Sequence, residues 1–159
     1  ETLVNRGWIT EGNNQFDLKP VTFARYGDIL RMLSNPRIER RYSPEELHCT
    51  QVVRSQDGEP FSPTLNAEIL VLGDSFLRIY EQDEPKSAGF TAHLAYELQR
   101  PIAAIISDGG ASTVVRQQLS RKPDLLTNKK VVIWEFVERD IRYGLDGWKV
   151  IPLSQSPAI

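Results

Sequence analysis

Cysteine, histidine and methionine are scarce in this chain. Cys49 is the single cysteine and has no partner for an internal disulfide, and no cysteine or histidine spacing suits zinc, so no metal site is expected. Histidine occurs twice, at His48 and His93, so general-base chemistry has few candidates. Charge of one sign is not in excess. Nineteen Lys and Arg against 21 Asp and Glu leave a formal charge of −2, which gives no electrostatic case for nucleic acid or an anionic membrane. No apolar run approaches the roughly 20 residues of a membrane span. Neither Gly-x-x-x-x-Gly-Lys-Ser/Thr nor Gly-x-Gly-x-x-Gly is present, which argues against a nucleotide, and no cofactor is expected. Repeats and low-complexity tracts are missing too. The chain shows no signal peptide and starts on Glu1 rather than Met, so a processed or trimmed protein is expected.

What is present is an ordinary globular composition, 40% hydrophobic and 25% charged over 159 residues, enough for one domain with a sizeable core. The chain is organised around Ile69–Leu72, a short continuous apolar run between Pro63 and Asn66 on one side and Gly73-Asp74 on the other. That pattern suits a strand buried on both faces. Ser75 then falls just beyond its carboxyl end, where open α/β sheets bind ligands. There it can act as a nucleophile whose own N–H helps to hold an oxyanion. The plainer alternative is a strand-ending turn in which Ser75 only caps the next segment.

Other elements follow in order. Residues 1–20 read as an irregular lead-in with at most one short strand near Trp8-Ile9. Phe23, Tyr26, Ile29, Leu30 and Leu33 recur at helical spacing, interrupted at Gly27-Asp28, and Asn35-Pro36 stops the run. The charged stretch Arg37 to Glu46 reads as a solvated connection, Leu47 to Arg54 as a strand, and Glu81 to Lys86 as a surface loop. Gly89 to Arg100 is expected to be a helix packing through Phe90, Leu94, Ala95 and Leu98. Ile102 to Ile106 is a second buried strand, followed by a helix over Ser112–Arg121 with Val115 and Leu119 inward. Lys130 to Phe136 is a third strand, with a short charged segment over Val137–Tyr143 after it. The expected core is Ile69, Val71, Ile105, Val132 and Ile133, covered by helices on both faces.

Strand–helix–strand–helix–strand is the pattern of parallel β-α-β units, whose exit turns all face one crevice. Three turns should therefore meet: Asp74-Ser75, Asp108-Gly109-Gly110, and Glu135 with Arg139. Gly109 and Gly110, lacking Cβ atoms and lying at a helix start, are candidate oxyanion donors. Asp74 supports the turn. Glu135 and Arg139, four apart, can pair, and the preferred reading is a lock between the last strand and its following segment. His93 reads as helix packing or surface, and His48 as a structural hydrogen-bonder.

Four stretches carry a resemblance: Gly27–Leu33, Leu70–Phe76 with its Gly-Asp-Ser, Ala88–Ala95, and Val131–Asp140. Together they resemble SGNH-hydrolase-like proteins of the alginate O-acetyltransferase type (AlgJ/AlgX-like), over about Val21 to Leu153. The resemblance implies a three-layer flavodoxin-like α/β domain with a mainly parallel sheet, exported or periplasmic in a bacterium, spanning 1–159 as a single domain or its C-terminal part. It also implies acetylation of a polysaccharide or other glycan, alongside protein partners in a membrane complex. The family's serine nucleophile carries over onto Ser75. Its upstream Asp-x-His-Trp motif has no counterpart in this sequence, nor is the Asn of the wider group evident. The implication is either a domain incomplete at its N-terminus, lacking its acid-base pair, or a relative without the chemistry. A non-catalytic carbohydrate-binding or assembly domain is the competing function, with Tyr80, Trp134 and Trp148 as sugar-stacking faces. A small-molecule or phosphate-binding flavodoxin-like domain is the third.

Overall fold

The computed structural model describes residues 2–110, 112–143 and 147–153. Three parallel strands form its centre: β3 (Ile69–Gly73) lies between β4 (Ala103–Ile106) and β5 (Val131–Trp134). Leu70 stands opposite Ala103 and Val132, and Leu72 opposite Ile105 and Trp134. Every residue of β3 is buried. Alternation sends Ile69 and Val71 to one face and Leu70 and Leu72 to the other.

Each face has its own cover. Ile69 and Val71 meet Ala92, Ala95 and Leu98 of α5 (Phe90–Leu98), with Phe16, Val52 and Phe61 around them. Leu70 and Leu72 meet Val115 and Leu119 of α6 (Val114–Ser120), joined by Ala103 and Ile105. The result is the three-layer α/β arrangement expected. Burial of each such aliphatic side chain contributes about 1.5–3 kcal/mol.

Two core expectations are corrected. Val132 is 46% exposed and Ile133 only half-buried: among the described residues β5 has no strand on its far side, and it is less covered than β4, the other edge strand. On α5 the inward stripe is Thr91, Ala92, Ala95 and Leu98, while Phe90 is exposed. The small Thr91, Ala92 and Ala95 face the sheet and let the helix approach closely, which leaves Phe90 outside.

The largest departure is a two-stranded antiparallel ribbon, β1 (Phe16–Arg25) with β2 (Glu45–Arg54), paired from Phe16↔Arg54 to Arg25↔Glu45. Val21 to Arg25 is therefore strand and not helix. Val21, Phe23 and Arg25 are half-buried in a period of two, and only after Gly27 does helical spacing take over, in α2 (Asp28–Leu33). A second short helix, α3 (Pro36–Glu39), follows, its first turn capped by Asn35. The lead-in is likewise structured. It contains α1 (Thr2–Asn5) and the first part of β1, and Ile9 is buried in the core instead of lying in a strand. Gln99, with φ of 49° at the end of α5, ties the ribbon down: its Oε1 accepts from the N–H groups of Gln15 and Phe16, and its Nε2 donates to the Phe16 carbonyl.

Beyond β5, the α6-side face ends in an aromatic cluster. Trp134, Phe136 and Trp148 meet edge-to-face at 5.1–5.3 Å, and the Arg116 guanidinium lies 5.7 Å from both indole centroids. Among the described residues, no helix is long and apolar enough to cross a membrane.

Candidate active site

The strand-to-helix turn at Ser75 is fixed from three directions. Gly73 ends β3 where a Cβ would collide with Leu77 and with Glu135 Oε2, so the turn requires glycine. Its carbonyl accepts from the Ser107 N–H at 3.0 Å, joining the exit of β4 to that of β3. On the other side, the Asp74 N–H donates to Glu135 Oε2 at 3.1 Å, and the Glu135 N–H donates to the Leu72 carbonyl at 2.8 Å. Asp74 is buried, and its Oδ1 accepts from the Phe76 N–H at 2.8 Å, capping α4 (Ser75–Arg78). Leu77 anchors that short helix in the core.

Ser75 takes the first position of α4, where an amide N–H has no acceptor within the helix. It is half-buried, and its hydroxyl makes no hydrogen bond with any described residue. It opens on a cleft of about 520 Å³, walled by Phe76, Arg78 and Ile79 from its own helix side, by Asp83, and by Asp28, Arg31 and Met32 from α2. Arg78 spans the floor: Nε donates to Asp108 at 2.8 Å and Nη1 to both oxygens of Asp83 at 2.6 and 2.7 Å. The hydrogen bond to Asp108 leads in raising this guanidinium above its ordinary value. A second hollow of about 420 Å³ shares Arg31 and Asp83 with the first and extends to Arg25 and Lys86.

The other candidates are placed as follows. Gly109 and Gly110 stand beside the Ser75 turn through the Gly73–Ser107 and Arg78–Asp108 links, but their N–H groups are engaged. Gly109 donates to Ser107 Oγ and Gly110 to the Ser107 carbonyl, so the pair closes a turn on itself. Nor do the glycines begin the helix, which starts at Val114 with Thr113 as its cap. Glu135 faces Asp74. Burial, reinforced by the nearby Asp74 and Asp140 carboxylates, raises its carboxyl above the ordinary range, against the Asp74 N–H that lowers it. Arg139, on α7 (Glu138–Tyr143), is exposed, and among the described residues no ion pair joins it to Glu135. Tyr80 packs its ring edge-on to Phe23 at 6.2 Å beneath the Arg25 guanidinium at 5.4 Å, so its ring is already in contact with the ribbon.

Neither histidine is turned to the serine. His93 Nε2 lies 3.0 Å from the Thr50 carbonyl, joining α5 to β2, and His48 Nδ1 lies 2.9 Å from the Thr22 hydroxyl across the ribbon. The residues that sequence reasoning missed are Arg78, Asp83 and the α2 wall. The charge of the Glu81–Lys86 loop is the available signal for Asp83, since a polar loop after the Ser75 turn lies over the sheet edge.

Comparison with known proteins decides the lineage. A family model described as the SGNH hydrolase-like domain of acetyltransferase AlgX matches residues 2–138. The chain belongs to that family. Among solved structures it is similar to the O-acetyltransferase domain of Pseudomonas putida AlgJ, with a TM-score of 0.61 and 18% identity over 87% of this chain. It is also similar to Pseudomonas aeruginosa AlgX, with a TM-score of 0.52 and 15% identity over 82% of this chain. It spans 45% of the first of those chains and 28% of the second. By sequence alone no curated protein matches. In this SGNH hydrolase-like domain, then, the Gly-Asp-Ser turn stands at the carboxyl edge of a parallel sheet, beside a two-walled cleft, and the Ser75 hydroxyl and N–H make no hydrogen bond with any described residue.

Proposed function

We propose that this domain performs acyl transfer or ester hydrolysis on a glycan, with Ser75 as the nucleophile and acetyl as the acyl group. The observation that carries the reading is the unbonded Ser75 hydroxyl, opening on a cleft from a turn clamped by both neighbouring strand exits. Ser75 Oγ attacks the acetyl carbonyl, its proton passes to a base, and the donor alcohol or thiol leaves with a proton. A glycan hydroxyl or water then attacks the acetyl-serine and frees Ser75. The Ser75 N–H is placed to stabilise the tetrahedral oxyanion.

A serine without a base is a poor nucleophile at neutral pH. Both histidines are held on other elements, so the 159-residue chain by itself is a weak catalyst. An Asp-x-His pair of the family type supplies the missing base. The same family supports an exported protein working on a polysaccharide beside membrane-complex partners. The competing reading, a non-catalytic carbohydrate-binding or assembly domain, is favoured by one observation: both glycine N–H groups at the neighbouring turn are already engaged.

The test compares hydrolysis of an activated acetyl ester by this chain, by a form extended with an upstream Asp-x-His segment, and by the extended Ser75→Ala form. Residual catalysis without a full triad is about 10³–10⁴-fold over water. Extension should raise the rate well above that, and Ser75→Ala should remove the gain. A folded extended form with no gain moves the assignment to the binding domain.

A further inference from the structure

The connection between the ribbon strands is the part of the molecule the Ser75 chemistry does not explain. Residues 26–44 form an arm containing α2 and α3, and neither helix buries a single residue. Its apolar side chains point outward: Ile29 is 78% exposed, Met32 82%, Leu33 54% and Tyr42 60%. At helical spacing Met32, Ile29 and Leu33 fall within about 100° of arc, a continuous stripe along one side of α2. A hollow of about 310 Å³ between the helices, lined by Leu30, Ile38 and Tyr42 among others, extends the apolar surface. Charge is equally one-sided. Arg31, Arg37, Arg40 and Arg41 stand against Asp28 and Glu39, so the arm carries +2 in a chain whose total is −2. Asp28 is already paired with Arg25, and among the described residues none of the four arginines enters an ion pair.

We propose that this arm is a docking element for an anionic lipid surface. Exposed aliphatic side chains seat at the level of the headgroups, while arginines beside them meet the phosphates; each basic residue near such a surface strengthens binding severalfold. The remainder of the chain, with a charge of −4, is repelled by the same surface, which orients the arm toward it. A neutral surface would leave the arginines without anionic partners. Seating the arm disturbs no core contact, because the helices supply none to the core. Asp28, Arg31 and Met32 also wall the Ser75 cleft, so docking sets that cleft beside the surface.

The test is co-sedimentation with vesicles of phosphatidylcholine alone and of phosphatidylcholine containing about a third phosphatidylglycerol. Binding is expected to the second only, and to weaken as ionic strength rises from about 0.05 M to about 0.5 M. Ile29→Asp with Leu33→Asp should lower partitioning about tenfold or more, and Arg37→Glu with Arg41→Glu should do the same. Phe90→Ser, on an exposed apolar residue of α5, should leave binding unchanged. Circular dichroism and thermal melting check that each variant folds, and the arginine pair keeps the test decisive if the aspartate pair does not. The proposal is overturned by absence of binding to anionic vesicles, or by binding that neither pair diminishes. It is also overturned if the arm variants abolish self-association in sedimentation velocity while vesicle binding persists, which would make the arm a contact between copies.

Discussion

The cleft at Ser75 has two walls of opposite construction. One is α4, set on the end of β3, whose five residues are all buried and whose exit is tied to β4 through Ser107 and to β5 through Glu135. The other is α2, six residues on an arm with nothing buried. The first wall can move only if the sheet edge moves, which suits a nucleophile that needs a fixed trajectory. The second rests on its own short-range bonds and sits at the low end of local stability. Ser75 is therefore held by the core, and its cleft is bordered by a segment the core does not hold.

The largest test of this contrast compares equivalent truncations. Leu70→Ala, at a side chain with no exposed surface, should cost about 2–5 kcal/mol in urea unfolding. Ile29→Ala on the arm should stay within about 0.5 kcal/mol. Similar costs at the two sites would erase the distinction.

Next in size is the buried carboxyl behind the first wall. Glu81 follows α4, is 6% exposed, and accepts from the Ala92 N–H at 3.0 Å at the start of α5. Burial is the leading cause that raises it from 4.5 to about 7, against the Ala92 and Thr91 N–H groups, which lower it. The folded state thus holds this proton more tightly than the unfolded chain. Its contribution to stability is full below pH 4.5 and is lost as pH rises through about 7. The loss is on the order of 3 kcal/mol. Glu81→Gln should flatten most of that slope, measured as unfolding free energy at a series of pH values. Glu135, raised mainly by burial, supplies a remainder of the same sign. An unchanged slope in Glu81→Gln would mean that this carboxyl is not held as described.

Much of the first wall was legible in sequence. Four apolar residues between turn formers can only be a short buried element, and Gly-Asp-Ser after it marks a sharp exit. The meeting of three exit turns followed from parallel topology, and the structure joins Asp74 to Glu135 and Gly73 to Ser107. What sequence did not show were pairings settled at a distance. β1 carries Pro20 and Lys19 and faces a partner strand some twenty residues away, so its period-two segment was absorbed into a helical pattern. The engagement of Gly109 and Gly110 depends on Ser107, a residue of the same turn whose side chain and carbonyl take both N–H groups. In the arm, charge alone marks Arg37 to Glu46 as solvated, while helical spacing counts Ile29 and Leu33 toward a packed face that the structure leaves exposed.

A smaller effect tests the turn itself. Asp74→Ala removes the cap on α4 and should cost about 1 kcal/mol, with a slower reaction at Ser75, whereas Asp74→Asn keeps the accepting oxygen and should lose less. Equal losses in the two variants would show that the cap is not what holds the serine.

The central claim is that Ser75 itself accepts the acyl group, and the most direct measurement is peptide-resolved mass spectrometry after incubation with an activated acetyl ester and acid quench. The account predicts one acetyl group per chain, slowly acquired, on the peptide bearing Ser75, and none there in Ser75→Ala. Acetyl found only on lysines, or an identical pattern in the wild type and Ser75→Ala, would contradict it.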